Sequence, residues 1–297
     1  MSKEISFLQY NTHLFGNMKW IFKYIGLDYK DVQRSLDICV SLQKCDTDII
    51  CLEEVWDDDI ANDMITSMSL NYKYYYRPQH ETKIGCSSGL LFFSKYPIQF
   101  KYFEAFNNIA GVDYLVSKGY SHIKILVNEK LIDLIFTHTQ APDSWFSYES
   151  NRILNIKQII NYIDKHKIHP IILGDLNVIA ETEKTHFFTE SYKKILFMFK
   201  KIGLVDNYRY IYPAPIPYPG YTYTPSKNKM CKYFAPSDNV DKRIDYIFCP
   251  INKDIYPIYI CTDPENNLDI FKNNFKMKNG MDLSDHYPLY FKCLIKK

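Results

Sequence analysis

Asn11, Glu54, His138, Asp175, Asn177, Asp245, Asp285 and His286 are the residue types that a phosphodiester-cleaving site requires. Such chemistry needs a cation to neutralise charge on the phosphoryl oxygens, a base to activate water, and donors for the developing pentavalent centre. Hard Mg²⁺, or Mn²⁺ in its place, prefers carboxylate and amide oxygens, which Glu54, Asp175, Asn177, Asn11 and Asp285 can offer. His286 and His138 can transfer protons near neutral pH. One such residue alone is ordinary turn chemistry, because Asn and Asp commonly end a strand. The full set together points to metal-assisted hydrolysis.

The positions of these residues say what must hold them. Asn11 follows an apolar run at 5–9, and Glu53-Glu54 follows 48–52. His138 follows 131–137, Gly174-Asp175-Leu176-Asn177 follows 170–173, and Asp285-His286 precedes 289–294. Further strands are expected at 72–76, 89–93, 99–104, 120–127 and 243–249, and helices at 30–43, 57–69, 148–165 and 185–201. Short apolar runs between helical patterns indicate a layered α/β protein. The stretches 212–241 and 262–283 read as long ordered loops, which inside a compact domain are commonly functional. No repeat or linker interrupts residues 1–297, so one domain is expected.

Composition narrows the field. Hydrophobic residues make up 46% and charged residues 24%, as in a soluble globular protein. A net charge of +2 does not advertise a nucleic-acid binder, whose domains usually carry a strong basic stripe. The 26 tyrosines fit either a stacking surface or a codon bias toward Tyr, Ile, Lys and Asn. The 8 cysteines show neither Cys-x-x-Cys pairs nor zinc spacing, which argues against a disulfide framework or structural zinc. Neither a signal-peptide pattern nor a membrane-spanning stretch is evident. A reducing, cytoplasmic setting is the default expectation, with export by an unconventional route left open.

Six ordered motifs carry a resemblance: Gln9-Tyr10-Asn11, Leu52-Glu53-Glu54-Val55, Thr137-His138-Thr139-Gln140, Gly174-Asp175-Leu176-Asn177, Arg243-Ile244-Asp245-Tyr246-Ile247 and Ser284-Asp285-His286-Tyr287-Pro288. Across nearly the whole chain it resembles the endonuclease/exonuclease/phosphatase superfamily. The resemblance implies a four-layer α/β/β/α sandwich of two packed mixed sheets flanked by helices, with the site where the sheets open. Within the superfamily the chain is most similar to bacterial-type neutral sphingomyelinases. That likeness is carried by Glu54-Val55-Trp56-Asp57, Ser94-Lys95-Tyr96-Pro97-Ile98, Asp113 with Ser117-Lys118-Gly119-Tyr120, and Thr137-His138-Thr139-Gln140-Ala141.

This implies a Mg²⁺-dependent phosphodiesterase releasing phosphocholine and ceramide from a phospholipid at a membrane surface, acting as a monomer. Glu54, Asn11 and Asp285 are expected on the metal side. His286 is expected as base, oriented by Asp245, with Asp175 and Asn177 positioning water and the phosphorus centre and His138 donating to a phosphoryl oxygen. Lys118 could face the phosphate, the alternative being a solvated hairpin lysine. Trp56 could pack on a quaternary ammonium head group, the alternative being a core tryptophan.

Departures from the resemblance matter too. The positions implied for a disulfide correspond to Ala110 and Phe146. The acidic pair expected before Ser88-Gly89, implied as edge-metal ligands and as a partner for His138, is Cys86-Ser87, and Asp58 alone would make a poor second site. The implied aromatic membrane hairpin corresponds to 267–281, with Phe271, Phe275 and Met277 among Lys272, Lys276 and Lys278. The competing functions are a Mg²⁺-dependent nuclease, whose tyrosine-rich loops would stack bases, and a catalytically silent binding protein on the same fold.

Overall fold

The computed structural model describes residues 2–16, 29–79, 87–143, 146–181, 187–213, 220–251, 254–262 and 275–296. Among the described residues, twelve strands form two mixed sheets of six. The first has the order β11(Ile255–Cys261), β12(Leu289–Lys296), β1(Ser2–Leu14), β2(Ile49–Val55), β4(Leu91–Ser94), β3(Tyr74–Tyr76). The second runs β5(Ile98–Ala105), β6(Gly119–Val127), β7(Lys130–His138), β8(Ile171–Asp175), β10(Asp245–Pro250), β9(Leu204–Asp206).

Helices α1(Asp31–Cys45) and α2(Asp58–Met68) cover the first sheet, joining Ile38, Leu42, Ile60 and Met64 to Leu8, Ile50 and Leu52. α3(Glu149–His166) and α4(Glu190–Lys201) cover the second, joining Ile156, Ile159 and Ile195 to Ile135 and Ile172. The layers are therefore α/β/β/α, as expected. α2 starts where Asp57 accepts a hydrogen bond from the Ile60 amide at 3.0 Å. α4 starts later than expected, after the Thr189 cap; of the expected segment, residues 185 and 186 lie outside the described residues.

What positions the site is the two-residue period of the strands. Ile5 and Phe7, Ile49 and Cys51, Leu134 and Phe136, Ile171 and Leu173, and Ile247 and Cys249 all face the dry space between the sheets. Continuing each row toward one end gives Gln9 and Asn11, Glu53, His138, Asp175 and Asp245. Register aligns these ends: Asn11 lies opposite Glu53, and Asp175 lies opposite both His138 and Asp245. At Gly174 the backbone of β7 comes so close that a Cβ would sit 1.8 Å from the Thr137 oxygen, at a φ of 153° that side chains rarely adopt.

Three expectations need correction. β11 was not anticipated, because Pro257 argues against a strand interior; it is an edge strand whose register shifts between Pro257 and Tyr259, where proline is tolerated. The loop 212–241 carries a short helix, α6(Lys229–Phe234), following α5(Asn207–Ile211). The expected membrane hairpin lies outside the described residues up to 274, including Phe271 and Lys272. Phe275 and Met277 are buried in the core under the first sheet, with Phe275 edge-on to Tyr10 at 5.3 Å. Those two side chains fill the interior and offer nothing to a membrane as they stand. Among the described residues, no helix is long and apolar enough to cross a membrane.

Candidate active site

The polar ends of β1, β2, β7, β8 and β10 meet the turn before β12 in one constellation. His286 Nδ1 lies 2.7 Å from Asp245 Oδ2, and its Nε2 lies 3.9 Å from Asp175 Oδ2. Asp245 Oδ1 accepts from Gln9 Nε2 at 2.7 Å, and the same nitrogen contacts both oxygens of Glu53 at 3.0 Å. Asp175 accepts from the Asn177 amide at 2.8 Å and from Asn11 Nδ2 at 3.0 Å. Burial opposes charge on His286, but Asp245, Asp285 and Asp175 lift its pKa well above the ordinary imidazole range.

Glu54 departs from the alternation of β2. Its φ of 60° lets consecutive glutamates both reach the site. Glu53 is fully buried, and burial, with the charges of Asp245 and Asp175, raises its pKa well above the carboxylate range. Glu54 Oε1 accepts from Asn11 Nδ2 at 3.1 Å, while Glu54 Oε2 is buried without a hydrogen-bond partner among the described residues.

His13, which the sequence did not single out, fills the space between Glu54 and Asp285. Its Nδ1 is 3.7 Å from Glu54 Oε2 and 3.4 Å from Asp285 Oδ2. Burial alone would raise the Asp285 pKa, but His13 holds it well below the carboxylate range. Reciprocally, burial opposes charge on His13, and Asp285 and Glu54 raise its pKa. The turn carrying His13 is anchored by the buried Arg34, which donates to the carbonyls of Thr12, His13 and Leu283. The only sequence signal was its place two residues beyond Asn11.

The His138 side of the site joins two motifs that lie apart in sequence. Lys118, only 2% exposed, places its ammonium 2.9 Å from Asp113 Oδ2, 3.1 Å from His138 Nε2 and 3.2 Å from the Thr139 carbonyl oxygen. Asp113 also accepts from the Ala141 amide and from Gln140 Nε2. Gly119 is required beside this lysine: a Cβ there would meet the Glu104 carbonyl oxygen at 2.2 Å. Burial and the Lys118 charge hold His138 neutral, well below its ordinary range. Facing an ammonium, His138 Nε2 can only accept, while Lys118 has its three N–H groups engaged by Asp113, His138 and the Thr139 carbonyl and can act on this side through its charge.

Two other expected roles meet obstacles. Asn11 presents its amide nitrogen to Glu54 and Asp175, and its oxygen accepts from the His13 backbone, so it ties carboxylates together instead of offering a ligand oxygen. Trp56 is 4% exposed and packs with Phe15, Leu115 and Val116, so it is a core tryptophan with no face for a head group.

The loop 220–241 supports the Asp285-His286 turn. Asn228 Nδ2 donates to the Ser284 carbonyl, the Tyr287 amide donates to the Thr222 carbonyl, and the Phe234 ring lies 4.2 Å from that of His13. Ser284 Oγ donates to the Asn11 carbonyl at 2.7 Å, tying the turn to β1.

A divalent cation suits this donor set. Glu53, Glu54, Asp175, Asp245 and Asp285 converge, and burial with the Asp245 charge raises Asp175 to about 7. A site short of positive charge, with a Glu54 oxygen that accepts no hydrogen bond among the described residues, is what a hard cation would complete. Ligand atoms of Asp175, Asp245 and His286 also lie within 4.8 Å of one another. His286 Nδ1 is already engaged by Asp245, however, and imidazole is a poor ligand for a hard ion, so Glu54 and Asp285 fit the cation better.

Fold and site together define a phosphodiester hydrolase. A profile of the endonuclease/exonuclease/phosphatase family matches residues 8–286, and the chain belongs to that family. Among curated proteins it is 26% identical over 268 residues to sphingomyelinase C of Listeria ivanovii, covering 82% of this chain and 74% of that protein. Among solved structures, that of SmcL superposes with a TM-score of 0.72 at 23% identity, covering 99% of both chains. A beta toxin variant from Staphylococcus aureus with bound magnesium ions gives 0.71 at 21%, covering 99% of this chain and 100% of that one.

Proposed function

We propose that the chain is a Mg²⁺-dependent sphingomyelin phosphodiesterase, releasing phosphocholine and ceramide by in-line attack of water, and acting as a monomer on phospholipid at a membrane surface. The carrying observation is the His286–Asp245 contact of 2.7 Å, with His286 Nε2 turned toward Asp175. A base oriented by a buried carboxylate, facing a second carboxylate able to hold water, is the arrangement water attack needs.

His286 Nε2 takes the proton of the attacking water while Asp245 stabilises the resulting imidazolium. Asp175, braced by Asn11 and the Asn177 amide, orients that water. Lys118, held by Asp113 and His138, offers positive charge to a phosphoryl oxygen. Glu54 and Asp285 would hold Mg²⁺, or Mn²⁺ in its place, which when bound supplies the charge that polarises the phosphoryl group. The water oxygen bonds to phosphorus, the ceramide oxygen leaves, and a proton returns to it as the alcohol forms.

The sphingomyelin assignment draws on the relative named sphingomyelinase C, together with the Asp113–Lys118–His138 contacts that join the motifs shared with such enzymes. The test incubates the protein and a Glu54→Gln control with Mg²⁺ or EDTA, on sphingomyelin liposomes and on supercoiled plasmid. Metal-dependent phosphocholine release absent from the control is expected. Plasmid nicking without phosphocholine would replace the lipid reading by a nuclease, and inactivity on both would favour a silent binding protein.

A further inference from the structure

Beside the cation site lies a second set of oxygens, on the strand end that carries Glu54. The Val55 and Trp56 carbonyls, the Ser87 hydroxyl and the Asp58 carboxylate converge on one point, and the Arg77 guanidinium fills it. Arg77 Nη2 donates to Asp58 Oδ1 at 2.6 Å, to Ser87 Oγ at 3.3 Å and to the Trp56 carbonyl at 3.4 Å. Its Nη1 donates to the Val55 carbonyl at 3.2 Å, and Ser87 Oγ itself donates to the Trp56 carbonyl at 3.1 Å. Arg77 is 9% exposed.

An all-oxygen cradle of carbonyls, hydroxyl and carboxylate is what a hard divalent ion takes. The resemblance implies an edge metal at this place, held by an acidic pair where Cys86-Ser87 stand. Cys86 lies outside the described residues, but Ser87 brings no charge. Among the described residues one carboxylate, Asp58, faces the guanidinium, and a second divalent ion does not fit without expelling Arg77. We infer that Arg77 takes the place of the edge cation, bracing the backbone next to Glu54 from within the chain and leaving the protein with a single divalent-ion site. A planar fork with fixed donors suits the cradle, its Nη1 reaching the Val55 carbonyl while the two N–H groups of Nη2 are shared among Asp58, Ser87 and the Trp56 carbonyl. The inference rests on the proposed reading only in taking Glu54 as the anchor of that single ion.

Mn²⁺ bound per full-length chain, counted by electron paramagnetic resonance during equilibrium dialysis, tests this without any activity measurement. The double variant Arg77→Ser/Ser87→Asp, which trades the guanidinium for a second carboxylate, is expected to bind one Mn²⁺ more than the natural chain. An unchanged count in a folded double variant overturns the inference. Asp58→Asn, at an exposed helix start, guards against a double variant that does not fold. It should leave the natural chain's count unchanged, and loss of one Mn²⁺ would mean that a metal displaces Arg77 and would overturn the inference. The count in the natural chain, and its loss in Glu54→Gln, reports separately on the Glu54 site. Absence of binding there would sink the proposed metal dependence while leaving the difference between natural chain and double variant to decide the role of Arg77.

Discussion

Two buried charge clusters, one beside β9 and β10 and one spanning the ends of both sheets, are built on opposite principles. In one, Arg243 donates to Glu181, Asp206 and the Tyr192 hydroxyl, and Arg209 adds a second guanidinium to Glu181. Two carboxylates meet two arginines, and although burial opposes the charge, Asp206 holds Arg243 firmly protonated. In the other, Glu53, Glu54, Asp175, Asp245 and Asp285 meet His13 and His286, the Lys118 beside them being paired with Asp113, and Asp175 is pushed to about 7 by burial and its neighbour Asp245. The first cluster is balanced and holds parts of the fold together. The second is left short of positive charge, which costs stability and creates affinity for a cation. A surplus of buried carboxylate, more than burial itself, distinguishes the reactive cluster from the structural one.

Substitutions should separate the two. His286→Ala and Glu54→Gln are expected to lower turnover by roughly a hundredfold or more while leaving the protein folded, measured as phosphocholine release at saturating Mg²⁺. Near-normal turnover in His286→Ala would remove it as the base. Arg243→Met should do the reverse, destabilising by about 3–5 kcal/mol in urea unfolding with little change in turnover of the remaining folded protein, because it strands Asp206 and leaves Glu181 to Arg209 alone. If turnover fell and stability did not, the comparison would fail.

A finer test uses Asp245→Asn. Its carboxylate helps raise the His286 pKa, so the variant should show a lower rate together with an acid limb of kcat/KM shifted to lower pH. An unshifted limb would mean that another group titrates.

The smallest effect is in the metal-free protein. A carboxyl raised from 3.8 to about 7 contributes stability that is fully present below 3.8 and lost as pH rises through about 7. The raised His286 contributes with the same sign, lost as pH rises beyond the ordinary imidazole range. Metal-free protein should therefore unfold at lower urea at pH 8 than at pH 6, with saturating Mg²⁺ shrinking the difference. Equal midpoints without metal would show that the cluster is not short of positive charge.

Much of this was legible because one rule governs both fold and site: alternating rows that are apolar between the sheets turn polar at one end. Asn11, His138, Asp175 and Asp245 lie on such rows, and finding the rows finds the residues. His13 was hidden because β1 loses register between Asn11 and Leu14, and its own φ of 49° takes it off the alternation. Contacts between distant segments were equally invisible. The Asp113, Lys118 and His138 motifs could be read one by one, but that Lys118 lies between the other two, fixing His138 as neutral, needs the approach of β6 and β7. Phe275 and Met277 misled for another reason: an aromatic and a thioether among lysines look the same whether the chain turns them to a lipid or to Tyr10.

Pro257 and the register shift beside it have a consequence for crowded solutions. β11, with its proline, closes one margin of the first sheet, and the opposite margin is the three-residue β3. The second sheet ends in the three-residue β9 on one side and in the eight-residue β5 on the other. Short or proline-bearing margins are poor templates for a foreign strand. β5, with Phe100 and Tyr102 exposed, is the longest margin free of proline within its span, and what blunts it instead is its own register shift between Ile98 and Phe100 and the charge of Lys101.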